Sequence, residues 1–100
     1  MPSMWGNDGE PMQEIELQII NEKGLHARAS AKFVEVVEAH DAQAEVMKDG
    51  MSVPGDSIMG LLMLAASKGT SIRVKLSGAQ AEALGEALRE LVAGRFGEGM

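Results

Sequence analysis

Cysteine is absent from the 100-residue chain, so a disulfide framework and a thiolate-ligated metal are both excluded. That absence is compatible with a reducing compartment. Aromatic side chains are almost missing, with one tryptophan and two phenylalanines. Basic side chains are few as well, nine against fifteen acidic ones, for a net charge of −6. Nucleic acid is therefore an unsuitable partner, because phosphate backbones call for a basic surface and single strands for aromatic platforms. Anionic membrane surfaces are disfavoured on the same electrostatic ground. No apolar run reaches the length of a membrane span, and the start "MPSMWGNDGE" lacks the basic and apolar regions of a signal peptide. A cytoplasmic protein is expected.

Apolar residues make up 45% of the chain, enough for one small core. Residues 1–11, rich in Gly, Pro, Asn and Asp, carry no period and read as a disordered extension containing Trp5. Residues 95–100 read as a frayed tail, leaving one domain over residues 12–94. Within it the period alternates in type. "QEIELQII" sets Ile15, Leu17 and Ile19 on one face of a strand. From Ala27 to Ala39 the spacing is helical, with Ala27, Ser30, Ala31, Val34 and Val37 as the expected inner stripe. "AQAEVMK" and "MSVP" are short strands joined at Asp49-Gly50, a tight-hairpin signal, and Pro54 ends the second.

"DSIMGLLMLAAS" reads as a helix capped by Asp56 or Ser57 and stopped at Lys68-Gly69. "TSIRVKLS" alternates as a strand, with Ile72, Val74 and Leu76 inward. A last helix runs from about Gln80 to Ala93, burying Ala81, Leu84, Leu88, Leu91 and Val92. The order is βαββαβα. Each strand has one polar face, which predicts a two-layer α+β sandwich with one side of an antiparallel or mixed sheet covered.

The stretch "NEKGLHARASAKFVEVVEAH", residues 21–40, concentrates the chemistry. His26 falls at the seam between a glycine-containing loop and a helix start, where free backbone N–H groups and the helix dipole favour an anion. Arg28, in the first turn, is poorly placed for the dipole but well suited to grip an anion through paired hydrogen bonds. Lys23, Arg28 and Lys32 together hold a third of the lysines and arginines. Imidazole is partly neutral and nucleophilic near neutral pH, so a histidine beside such a site is able to attack a phosphoryl group. For the histidine alone, helix capping or partial burial competes with this reading, and the pattern leaves both open.

Other chemistry finds little support. His40 sits near the helix end, where a cation suits the dipole, and no His spacing fits a metal. "ASKGTS" lacks the spacing of a nucleotide loop. The helix from Ser57 carries Ile58, Met59, Leu61, Leu62, Met63 and Leu64 and leaves almost no polar face. Deep burial and a partner-docking surface are its two readings.

"GLHARASAKFV" and, some thirty residues on, "SIMGLLMLAASKGTSIRV" resemble the HPr-like family, the histidine-containing phosphocarriers of the bacterial phosphoenolpyruvate-dependent phosphotransferase system. The resemblance covers about Gln13 to Val92. It implies an open-faced sandwich, three helices on one face of a four-stranded antiparallel sheet. It also implies that His26 accepts a phosphoryl group on Nδ1 from enzyme I and passes it to IIA-type domains, with Arg28 stabilising the phosphate. Ser57 matches the serine modified by an HPr kinase/phosphorylase, and Ile58, Met59 and Leu62 match the docking patch. The implied molecule is a monomeric carrier in sugar transport, without cofactor or metal, rather than a turnover enzyme. A regulatory, nitrogen-type paralogue acting through the Met-rich helix is the alternative. One departure stands out: the family usually has proline and alanine where this chain has Ala29 and Ser30. Alanine is an excellent helix former, so the helix is expected to survive with one more free N–H.

Overall fold

The computed structural model describes residues 12–99, so Trp5 and the extension expected over residues 1–11 lie outside the described residues. The elements are β1 (Met12–Gln18), α1 (Ala27–Glu38), β2 (Gln43–Lys48), β3 (Met51–Pro54), α2 (Ile58–Met63), β4 (Ser71–Ser77) and α3 (Ala81–Ala93), followed by a 3₁₀ turn at Arg95–Gly97. All sheet pairings are antiparallel, and the strand order is β1-β4-β2-β3. The last strand in sequence therefore lies inside the sheet, between the first and second.

Register follows from the alternation anticipated in the sequence. Ile15 pairs with Val74 and Leu17 with Ile72, while Val46 lies between Val74 and Val53. All six are buried on one side. Glu14, Glu16, Glu45, Arg73 and Lys75 remain exposed on the other. A one-residue slip would exchange these two sets, and burial of an aliphatic side chain contributes roughly 1.5–3 kcal/mol, so the register is strongly specified. The β2–β3 hairpin turns through Asp49 and Gly50 at φ 51° and 82°, the double positive φ that a tight two-residue hairpin needs.

The three helices cover the buried face, as the resemblance implies. α3 keeps the stripe expected of it, with Ala81, Leu84, Leu88 and Val92 buried and Leu91 packed at the margin. α1 is rotated from the expected stripe. Ala29, Ser30, Phe33, Val34 and Val37 are buried, whereas Ala27 is exposed and Ala31 only half-buried. Phe33, fully buried, is the largest side chain on that helix and sets which face turns inward.

α2 is shorter than its sequence suggests. Ser57 is the N-cap, its Oγ accepting the Gly60 N–H at 3.0 Å. The helix ends after Met63 instead of continuing to Lys68-Gly69, because Ala65 adopts φ 52°. It packs through Gly60, Leu61 and Leu64; a Cβ on Gly60 would lie 2.9 Å from Val53 Cβ. That leaves Ile58, Met59 and Met63 at 40, 70 and 63% exposure and Leu62 half-buried.

The C-terminal segment also differs from expectation. Rather than a frayed end, Arg95–Gly97 forms a 3₁₀ turn whose Phe96 is 1% exposed within the core. Lys32 Nζ donates to the Phe96 carbonyl at 2.6 Å and fastens the turn to α1. One buried aromatic ring supplies enough apolar area to hold a short glycine-rich segment against the domain.

Candidate functional site

The loop between β1 and α1 is fixed at both ends by backbone from the α2–β4 connection. Ile19 N–H donates to Thr70 O at 2.8 Å, Gly69 N–H to Ile19 O at 2.7 Å, and Leu25 N–H to Ala66 O at 2.9 Å. Asn21 is fully buried and donates through Nδ2 to the Gly24 carbonyl at 2.9 Å. Gly24 itself sits at φ 63°, with the Ala66 carbonyl oxygen only 2.4 Å from where a Cβ would be. Only glycine fits there without displacement.

His26 follows two residues later as the N-cap of α1, in extended backbone conformation, and its carbonyl accepts the first helical bond from Ser30 N–H at 2.8 Å. Its imidazole does not cap the helix. The capping alternative for this side chain is thereby set aside. Helix geometry leaves the N–H groups of the first turn without intrahelical partners. The Ser30 hydroxyl turns away from that opening and donates to the Leu25 carbonyl at 3.2 Å.

The imidazole is half-buried, its side chain 27% exposed. Its Nε2 is hydrogen-bonded to Glu98 Oε2, and Glu98 Oε1 accepts from Asn21 Nδ2 at 2.9 Å. The Glu98 carboxyl is held below its usual range, first by the Asn21 bond and then by the His26 bond; burial opposes the shift, and the charges of His26 and Lys23 add to it. His26, Ala27, Arg28, Glu22, Lys23, Glu98 and Gly99 line a cleft of about 510 Å³. Arg28 is exposed at its wall and makes no ion pair among the described residues.

The structure thus brings His26, Arg28 and Lys23 to one cleft, whereas Lys32 is engaged with the Phe96 carbonyl. Ser57 lies on α2 as a helix cap outside this cleft, and His40 bonds the Val36 carbonyl through Nδ1 at 2.7 Å. Glu98 and Asn21 were not recognisable as site residues in the sequence. Glu98 stands in a glycine-rich tail without period, 72 positions from the histidine it touches. Among the described residues no group of three or more His, Cys, Asp or Glu is arranged to hold a metal, and no helix is long and apolar enough to cross a membrane.

Comparison with known proteins agrees with this geometry. Residues 13–94 match the family model described as "PTS HPr component phosphorylation site". The chain is 48% identical over 89 residues to the phosphocarrier protein HPr of Neisseria meningitidis, covering 88% of this chain and 99% of the relative. To the HPr of Pseudomonas aeruginosa it is 46% identical over 89 residues, with the same coverage of both chains. Among solved structures, HPr-C-His from Thermoanaerobacter tengcongensis superposes with a TM-score of 0.83 at 35% identity, covering 88% of this chain and 99% of that one. The HPr of Bacillus anthracis gives 0.77 at 36% identity, covering 81% and 96%. With the fold also in accord, the chain belongs to the HPr family of the phosphotransferase system.

Proposed function

We propose that this chain is a phosphocarrier that takes a phosphoryl group onto His26 Nδ1 from phosphorylated enzyme I and delivers it to IIA-type domains. The observation that carries this reading is the division of labour on the imidazole. Nε2 is occupied by Glu98, while Nδ1 has no hydrogen-bond partner among the described residues. The phosphoryl oxygens would meet the N–H groups of the α1 start and the guanidinium of Arg28, which has no ion pair among the described residues. Both sets of donors gain charge-assisted hydrogen bonds once the anion arrives, which stabilises the transferred group.

Docking of both partners is assigned to the apolar surface of α2, where Ile58 and Met59 are exposed and Leu62 half-buried. Met63 extends that surface. Flexible methionines suit a face that must fit two different proteins in turn. Ser57 is proposed as a second, regulatory acceptor for an HPr kinase/phosphorylase, since its half-buried hydroxyl stands at the margin of the same surface.

The test is incubation with phosphoenolpyruvate and enzyme I, followed by analysis of the label. An acid-labile phosphate that disappears in His26→Ala is expected, and label persisting in that variant would overturn the assignment. With HPr kinase and ATP an acid-stable label is expected; its survival in Ser57→Ala would remove Ser57 from the scheme.

A further inference from the structure

Glu98 lies beyond the family match, which ends at residue 94. It nonetheless makes the sole side-chain hydrogen bond to the His26 ring among the described residues. Three features show that this contact is built into the fold. Phe96, buried at 1% exposure, anchors the segment two residues before it, and Lys32 Nζ holds the Phe96 carbonyl at 2.6 Å. Asn21, fully buried, fixes the carboxylate from the other side at 2.9 Å. The Asn21 amide nitrogen uses both its hydrogens, one on Gly24 O and one on Glu98 Oε1, so its orientation is determined.

From this arrangement we infer that Glu98 is a positioning residue for phosphoryl transfer, accepting the His26 Nε2 proton in a hydrogen bond so that Nδ1 is presented as the nucleophilic nitrogen. An ionised carboxylate only accepts hydrogen bonds, so the ring nitrogen facing it must carry the proton. In a neutral imidazole the other nitrogen then holds the lone pair. This inference rests on the reading of His26 as the acceptor.

The step balances without any group leaving the ring. The Nδ1 lone pair forms the new N–P bond as the bond between phosphorus and the donor atom of phosphorylated enzyme I breaks, its electron pair returning to the donor. His26 then carries phosphorus on Nδ1 and hydrogen on Nε2, and the ring acquires positive charge. Glu98, already ionised and in contact with Nε2, offsets that charge as it develops. When the phosphoryl group moves on, Nδ1 recovers its lone pair and the proton stays on Nε2.

The contact also links the tail to the site. Undocking of Phe96 would withdraw the carboxylate, because Glu98 is two residues from its anchor. At metal-bound histidines, removing the carboxylate that orients the ring through its second nitrogen typically lowers activity by about 10–100-fold, and the same orienting contact acts here on an imidazole without a metal. For a partly exposed contact the lower end, about tenfold, is expected here.

The experiment uses the full chain, labelled with ¹⁵N in histidine, as wild type, Glu98→Gln and Glu98→Ala. Ring nitrogen shifts at alkaline pH report the tautomer of unphosphorylated His26, and enzyme I-dependent labelling reports the rate. Wild type should show the Nε2–H form with Nδ1 unprotonated. Glu98→Ala should move the ring signals toward a mixture and slow transfer about tenfold. Glu98→Gln, which keeps an acceptor oxygen but no charge, should retain more of the tautomer than Ala while still slowing transfer. Unchanged ring signals in Glu98→Ala overturn the inference whatever the rate does. An unchanged rate with altered ring signals overturns it too. If wild type takes no label, the carrier reading fails, and with it the use of the tautomer for transfer.

Discussion

Gly24 offers the sharpest test of how the loop places His26. Its φ of 63° lies in the left-handed region, where an L side chain costs roughly 1–2 kcal/mol. A Cβ there would also stand 2.4 Å from the Ala66 oxygen and 2.9 Å from Ser67 Cα, both backbone atoms. Backbone cannot rotate away as a side-chain end would, and forced overpacking of this kind costs about 1–3 kcal/mol. The two effects together predict that Gly24→Ala lowers unfolding free energy by about 3 kcal/mol. Gly69 is the internal control, with φ 92° and nothing within 4 Å of an added Cβ. Gly69→Ala carries the conformational strain alone and should lose only about 1 kcal/mol. Urea unfolding of the two variants measures the difference directly. Because Leu25 N–H bonds the same Ala66 oxygen, Gly24→Ala should also retard acceptance of the phosphoryl group by His26, whereas Gly69→Ala should retard it less. Equal losses of stability in the two variants would refute the steric argument.

Two further outcomes follow from the site and the surface beside it. Glu98 is held below the usual carboxyl range, so its contribution to stability is complete above about pH 4.3 and is lost as pH falls through its folded value. The stability gap between wild type and Glu98→Gln, followed by urea unfolding across pH, should therefore be widest near neutrality and close in acid; a gap that widens in acid contradicts the assignment. Met59 is 70% exposed, so Met59→Glu should change stability by less than ~0.5 kcal/mol while weakening transfer from enzyme I, and unaltered transfer would remove it from the docking surface.

Much of the fold was legible because its signals are local. Strict alternation in β1 and β4 placed Ile15, Leu17, Ile72, Val74 and Leu76 correctly, and Asp49-Gly50 marked its hairpin. His26 and Arg28 could be placed at a helix start by the change of period alone. The failures have equally local causes. α2 ends at an alanine, Ala65, taking a conformation usually left to glycine, so no residue type announced the stop. In α1, small alanines on several faces make the inner stripe ambiguous, and the single large ring of Phe33 resolved it only in the packed structure. Glu98 depends on a long-range contact through a buried Phe96, and no pattern within "GRFGEGM" encodes that.

The strand order has a bearing on when the site comes into existence. β4, the inner strand that pairs with both β1 and β2, is contributed by residues 71–77. β1 therefore waits as an unpaired strand until most of the chain has been made, and Ile15 meets Val74 only by closing a long intervening loop. Such non-local pairing is slow compared with helix formation. The same connection that delivers β4 supplies Ala66, Gly69 and Thr70, the backbone groups that hold the loop before His26. Helix α1 is able to form early, but its histidine is held in place only when β4 docks. A nascent or truncated chain lacking residues beyond 65 would carry the histidine without the backbone groups that hold its loop, so the site proposed here cannot be complete before the sheet is.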